Sequence, residues 1–421
     1  MRTIKTLFVT VAILGHTIFT TYAEEKKEDN PASDTGLYRT DNARLTGPLW
    51  QGGKRLNIMN PAISLIIDGF YYHTNLSDDE LETRKIPGYR TFEEDHTHAH
   101  GETRKGFNLR SAELSFFAPV DPYFNLYITI PVSENGAELE EAYFVTTSLT
   151  AGLQLKGGRF RSGFGRFNAF HQHARNFVDP PLPYRAFLGD DGLVEKGIQV
   201  TYLPALPVYL LVGVEALEGE NEILLGKEGR PSYGGFVKTS VELAEAGTVL
   251  FGISFVTGET VSSSIEHNSE FEGNSILYGV EFTCKWRPSR NRSLVLQSEY
   301  MLRKQRGEYT EDTTVPTPVK RLERSQDGLY LQGLYRSGRW RAGVRYDTLG
   351  ILKDRFVLAG TDQDFGGSPY RITASVEFIP TEFSRIRLQY NIDRTSRDGS
   401  VLRELFLQFI MSIGAHGAHR F

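Results

Sequence analysis

The stretch that decides the fold is Tyr370-Arg371-Ile372-Thr373-Ala374-Ser375-Val376-Glu377-Phe378, followed shortly by Arg385-Ile386-Arg387-Leu388-Gln389-Tyr390-Asn391-Ile392. In the first run Tyr370, Ile372, Ala374, Val376 and Phe378 alternate with Arg371, Thr373, Ser375 and Glu377. In the second, Ile386, Leu388, Tyr390 and Ile392 alternate with Arg385, Arg387, Gln389 and Asn391. A period of two sends successive side chains to opposite faces of a strand. The connector Pro380–Phe383 has room for a tight turn, so the two runs read as an antiparallel hairpin with one apolar and one polar face.

The same pattern recurs outward from this hairpin. Phe124, Leu126, Ile128 and Ile130 share a face, as do Trp340, Ala342, Val344 and Tyr346, and Leu405, Leu407, Phe409, Met411 and Ile413. The periodicity predicts 16 strands, near 63–72, 107–118, 123–130, 138–146, 152–161, 196–203, 208–216, 233–243, 248–257, 275–287, 292–302, 327–336, 339–349, 368–379, 384–393 and 403–414. Connections alternate between short turns, such as Pro204–Pro207 and Pro288–Asn291, and long polar loops, such as His73–Gly106, Phe164–Glu195, Gly258–Gly273, Arg303–Gln326 and Gly350–Gly367. A soluble sandwich shares the alternation of faces. The alternation of turn lengths, and aromatics near strand ends (Tyr71, Tyr72, Phe117, Tyr123, Tyr300, Tyr346, Phe378), match a transmembrane barrel better. The expected fold class is therefore all-β, a transmembrane antiparallel β-barrel of about 16 strands over residues 58–421, with its apolar face on outer-membrane lipid.

The N-terminus reads as an address. Arg2 and Lys5 precede an apolar stretch from Leu7 to Phe19, and Thr21-Tyr22-Ala23 offers small residues for cleavage. Residues 1–23 are expected to be a Sec-type signal peptide, which points to the cell outer membrane, and 24–57 a flexible charged lead segment. The remaining composition agrees. The 421 residues include 41 Gly, 27 Phe and 20 Tyr, and the single cysteine, Cys284, excludes an internal disulfide. With 47 basic against 52 acidic residues, the near-neutral balance argues against a nucleic-acid partner.

Two segments carry a family resemblance. Leu405 to Phe421 alternates and ends in phenylalanine, and looks like the terminal strand of Gram-negative outer-membrane proteins. Gly157-Gly158-Arg159-Phe160, then Phe164-Gly165-Arg166-Phe167-Asn168, resembles the strand-and-loop entry of the phosphate-selective porin O and P family. That resemblance implies a 16-stranded, trimeric barrel with one loop folded into the lumen. The chain also looks like porin-like outer-membrane proteins linked to zinc regulation and sometimes labelled TonB-dependent, on its overall length and the ending Gly414–Phe421.

Candidate functional residues follow from the faces. Arg341, Arg345, Arg371, Arg385 and Arg387 fall on the polar face of three consecutive strands, and Arg159, Arg161 and Arg166 sit around the entry to the long loop Phe164–Glu195. Guanidinium groups in a narrow lumen would favour small anionic solutes. The other reading pairs them with Glu113, Glu281, Glu299 and Glu377 in a structural charge network. The loop Phe164–Glu195 is aromatic and basic, then proline-rich, and is read either as a constriction inside the barrel or as an external lid. His96, His98 and His100, flanked by Glu93, Glu94, Asp95 and Glu102, form either a zinc-binding segment or a solvated surface loop. No catalytic motif stands out, so the chain is expected to be a porin and not an enzyme, with no cofactor unless zinc binds the histidines.

Overall fold

The computed structural model describes residues 61–414, apart from 83, 85, 90–102, 227–228, 244–245, 265–268 and 398. The signal-peptide and lead-segment readings, and the final Phe421, lie outside the described residues. Among the described residues sixteen strands of six residues or more follow one another: β1 (Ala62–Thr74), β2 (Gly106–Pro119), β3 (Phe124–Ser133), β4 (Glu141–Thr146), β5 (Leu153–Arg161), β6 (Val194–Tyr202), β7 (Tyr209–Leu217) and β8 (Ser232–Leu243). They continue through β9 (Gly247–Ser264), β10 (Ser269–Ser289), β11 (Arg292–Thr310), β12 (Lys320–Ser337), β13 (Trp340–Leu358), β14 (Tyr370–Thr381), β15 (Ser384–Arg394) and β16 (Leu402–Gly414). Each pairs antiparallel with its successor, and β16 pairs with β1 from Ser64↔Gly414 to Thr74↔Glu404. The sheet is a closed 16-stranded barrel. Closure gives every ladder a partner, and an open edge in hydrocarbon would cost several kcal/mol per unsatisfied group.

The expected face assignment holds in β13–β16. Val344, Ile372, Val376, Leu388 and Ile413 point outward and are exposed, whereas Arg345, Thr373, Glu377, Arg387 and Gln408 point inward and are buried. Membrane-length strands explain the spacing. The 12 residues of β14, at about 3.3 Å per residue and a tilt near 45°, rise about 28 Å, which matches a hydrocarbon core of about 30 Å. The tight end of the barrel carries the short turns. At one of them Gly338 has φ +61°, the left-handed conformation needed at the first position of a two-residue hairpin turn between Ser337 and Trp340.

Three expected loops turn out to be largely strand. The pattern predicts polar loops at 258–273, 303–326 and 350–367, but β9 to β13 run on into them, with β9 and β10 still paired at Ser264↔Ser269. The ladders persist because alternation persists on the inward side: Phe271, Leu322 and Phe356 form a buried cluster with Tyr309, Leu358 and Phe365 packed against it. Sparse apolar residues among many charges hid this period. Two of the expected girdle aromatics also differ. Tyr72 is buried inside, its hydroxyl donating to Glu404 at 2.9 Å, and Phe117 packs on Tyr127 on the inward face.

Candidate functional site in the barrel interior

The segment between β5 and β6, residues 162–193, folds into the barrel, as expected for an inward loop. Its neck is closed by Asn168, whose amide donates to the carbonyls of Ser162 and Leu193 at 2.9 Å each, while its oxygen accepts the Leu193 N–H at 2.8 Å. Glu299 on β11 accepts the backbone N–H groups of Arg166 (2.9 Å) and Phe167 (2.8 Å) and the hydroxyls of Tyr184 (2.7 Å) and Tyr330. Gly165 makes this approach feasible. It has φ +63°, and a Cβ there would sit 2.1 Å from the Tyr184 hydroxyl. Phe164, Phe167, Leu182, Tyr184, Phe187, Leu188 and Leu193 then pack as the core of the interior. The loop is thus bound by directed hydrogen bonds and by apolar burial together.

Five of the expected arginines hold the tip of this loop. Arg345 and Arg371 reach the Asp179 carboxylate at 3.0 and 2.6 Å and share Asp347 at 3.0 and 3.2 Å. Arg371 also donates to the Pro180 carbonyl at 2.6 Å. Glu377 collects Arg341, Arg385 and Arg387. Arg387 donates to the Arg175 carbonyl at 2.8 Å, Arg385 to the His173 carbonyl at 3.4 Å, and Arg341 to the Asn176 side chain at 3.2 Å. Burial opposes the charge of Asp179, but Arg371 and Arg345 outweigh it and hold the carboxyl well below its ordinary range. The charge-network alternative is therefore present in the molecule, with Glu377 as its hub. Glu281 instead meets Lys238 at 3.3 Å, and Glu113 meets histidines.

The remaining candidates are placed elsewhere. Arg159 was expected to face inward; it lies in register with Ala142 and Lys196 on the outward row, beside Glu220. The inward positions next to it are Lys156 and Phe160, the lysine lying over the Tyr143 and Phe160 rings. Arg161 is buried against Glu140 and donates to the Asp191 carbonyl at 2.8 Å, apart from the β13–β15 arginines. The Arg166 guanidinium lies 5.0 Å from the Phe170 ring centre. His96, His98 and His100 lie outside the described residues.

A second polar group gathers residues that the sequence gives no reason to place together, with Glu113, an expected partner of the arginines, among them. His171 Nε2 lies 2.9 Å from Glu141, and His173 Nδ1 lies 2.9 Å from Glu113. His171 Nδ1 is 3.5 Å from Glu140 and 3.8 Å from Glu113. Burial disfavours charge on His171, yet Glu140, Glu113 and Glu141 together raise its proton affinity well above that of a free imidazole. The signal available in the sequence is weak: Glu140 and Glu141 lie at the start of the expected strand 138–146, and His171 and His173 sit among aromatics. Below this group, inward side chains of β2–β5 keep partial exposure, namely Ser115, Phe117, Tyr127, Tyr143, Gln154 and Lys156. Tyr127 and Tyr143 stack at 5.0 Å, with planes 15° apart.

A closed 16-stranded barrel with an apolar exterior, a polar interior and one infolded loop defines the porin-type outer-membrane barrels. No family model matches the sequence. A curated protein of Aquifex aeolicus (strain VF5), described as an uncharacterized protein, is 41% identical over 383 residues, covering 86% of this chain and 80% of its own length. The chain belongs to the same family as that protein. Among solved structures, the outer-membrane channel DcaP of Acinetobacter baumannii aligns with a TM-score of 0.50 at 11% identity, covering 84% of this chain and 97% of its own. The anion-selective porin from Comamonas acidovorans gives 0.50 at 8%, covering 84% and 99%. The trimer form of in-vitro folded OmpT, an outer membrane protein of Vibrio cholerae, gives 0.50 at 9%, also covering 84% and 99%. At such identities the likeness is one of fold.

Proposed function

We propose that this protein is an outer-membrane channel through which small solutes, anions in preference to cations, diffuse past the infolded loop. The observation that carries the reading is the placement of residues 162–193 within a closed barrel whose inward face is polar. A barrel serving as a scaffold alone has no need of a polar lumen or a loop folded into it. The partly exposed strip on β2–β5 is the side of the lumen that the loop leaves in contact with water.

The anion preference rests on the wall formed by β13–β15. Arg341, Arg345, Arg371, Arg385 and Arg387 face four carboxylates, Glu377, Asp347, Asp393 and Asp179, so the arginines outnumber the carboxylates by one along these strands. Such an excess inside low-dielectric walls raises the local concentration of anions. Lys156 adds a cation to the open strip. The likeness of Gly157–Asn168 to the phosphate-selective porin O and P family, and the shared fold with the anion-selective Comamonas porin and the trimeric OmpT, support an anion-selective homotrimer.

Reversal potentials in planar bilayers under a salt gradient test the reading. Anion preference is expected, shifting towards cations when Arg341 and Arg385 both become glutamine. Cation preference of the wild type would overturn the arginine assignment. Absence of any conductance from correctly folded protein would overturn the channel itself.

A further inference from the structure

The group formed by Glu113, Glu140, Glu141, His171 and His173 has the chemistry of a metal centre. One ligand atom each from Glu113, Glu140 and His171 lies within 4.8 Å of the others. Three carboxylates converge there, and Arg161, seated on Glu140, is the guanidinium the structure places among them. The second observation concerns His171 itself. Its Nε2 meets Glu141 at 2.9 Å, which orients the ring so that Nδ1 faces Glu140 and Glu113. Nδ1 makes no hydrogen bond, standing 3.5 and 3.8 Å from those carboxylates. A carboxylate holding the far nitrogen of an imidazole while the near nitrogen faces two further carboxylates is the usual outer-shell arrangement of a metal-ligating histidine.

We propose that Glu113, Glu140 and His171 bind a divalent transition-metal ion of the zinc class inside the barrel, with Glu141 and His173 as positioning residues. Imidazole nitrogen with carboxylate oxygens is the donor set such ions take. Bringing the three ligand atoms onto one ion requires shifts of about 1 Å, since Zn–N and Zn–O distances are about 2.0–2.2 Å. The His171 side chain keeps 25% of its exposure, and the inward row of β2 runs from Glu113 through Ser115 to Phe117 in the partly exposed strip, so an ion has a path from water. None of its residues belongs to the His96, His98, His100 segment.

Cobalt(II) is a suitable probe because its visible absorption reports coordination. The full chain in detergent micelles, with folding of each variant verified by its gel mobility before and after heating, is titrated with cobalt and then with competing zinc. Saturable cobalt binding that zinc displaces is expected. It weakens at least tenfold in His171→Ala and in Glu113→Gln, weakens about tenfold in Glu141→Gln, and is unchanged when His96, His98 and His100 all become alanine. His171→Gln, which retains a polar side chain of similar reach, takes the place of His171→Ala if the latter does not fold. Absence of saturable binding in the wild type would overturn the proposal. So would unchanged affinity in folded His171 and Glu113 variants, or loss of binding in the triple-alanine chain with His171→Ala unaffected. Binding is read without any ion current, so this outcome and that of the channel reading are independent.

Discussion

The carboxylate of Asp179, at the tip of the infolded loop, lies 2.6 Å from Nη1 of Arg371 on β14. Arg345 of β13 approaches the same carboxylate at 3.0 Å, and Gln389 of β15 donates to it. One loop residue is therefore held by three consecutive strands of the wall. The basic row of this wall is also the row that fixes the loop's position, so on the channel reading the same side chains would set both the charge of the lumen and the place of the loop.

Replacing Asp179 with asparagine should free the loop tip and leave Arg345 and Arg371 short of a counter-charge. Removing one member of a buried pair costs about 3–5 kcal/mol. Single-channel recordings should show a larger and noisier conductance than wild type. An unchanged current trace would contradict the anchoring role.

The same pair has a defined pH response. The folded carboxyl is held below its unfolded value of about 3.9. Its contribution is therefore fully present above that value and is lost as pH falls through the lower folded value. The stability difference between wild type and Asp179→Asn should stay constant from pH 8 to pH 5 and shrink only below about pH 4. Urea unfolding of both proteins in micelles across that range checks this.

Glu299 is the second anchor, at the loop's entry. Glu299→Ala strands the N–H groups of Arg166 and Phe167 and the hydroxyls of Tyr184 and Tyr330. Each buried donor left without an acceptor costs about 1–3 kcal/mol. The heat-induced gel-mobility transition should drop clearly in temperature, and more than for Glu299→Gln, which keeps the shape of the site.

Val344 stands 62% exposed on the outward row of β13, beside inward Gly343 and Arg345. On the barrel reading, Val344→Arg places a charge in hydrocarbon and should destabilise refolding into lipid vesicles by about 2–4 kcal/mol. Equal stability of the two proteins in vesicles would argue that this face does not meet lipid.

Gly158→Ala should weaken the pairing of β4 with β5. Gly158 has φ +127°, and a Cβ there would fall 2.2 Å from the Ala142 carbonyl oxygen and 2.8 Å from the Tyr143 Cα. The strain is of order 1–3 kcal/mol. A lower unfolding midpoint in urea, with conductance retained in the folded fraction, is the expected result.

Some of this was legible residue by residue. In β14 and β15 each apolar side chain is followed by a polar one, so the phase of the strand is written continuously and Arg371, Glu377, Arg385 and Arg387 fall inward as read. At β5 the run Gly157-Gly158 carries no side chains to set the phase. The inward row passes through Lys156 and Phe160, and Arg159 goes outward. Past Gly258 and Arg303, charged residues dilute the apolar signal, and the strand extensions became visible only through the burial of Phe271, Leu322 and Phe356.

The sequence by itself determined the barrel, its strand number, the two faces of most strands and the existence of one long aromatic and proline-rich loop, because a period of two is a local property read within ten residues. Tertiary structure alone decided what the loop touches. Asp179 meets Arg371, Glu299 meets Arg166 and Tyr184, and His171 meets Glu140 and Glu141 only because closure of the ring brings distant strands around one short segment. Those contacts depend on ring curvature and the path of the loop, which no local period encodes.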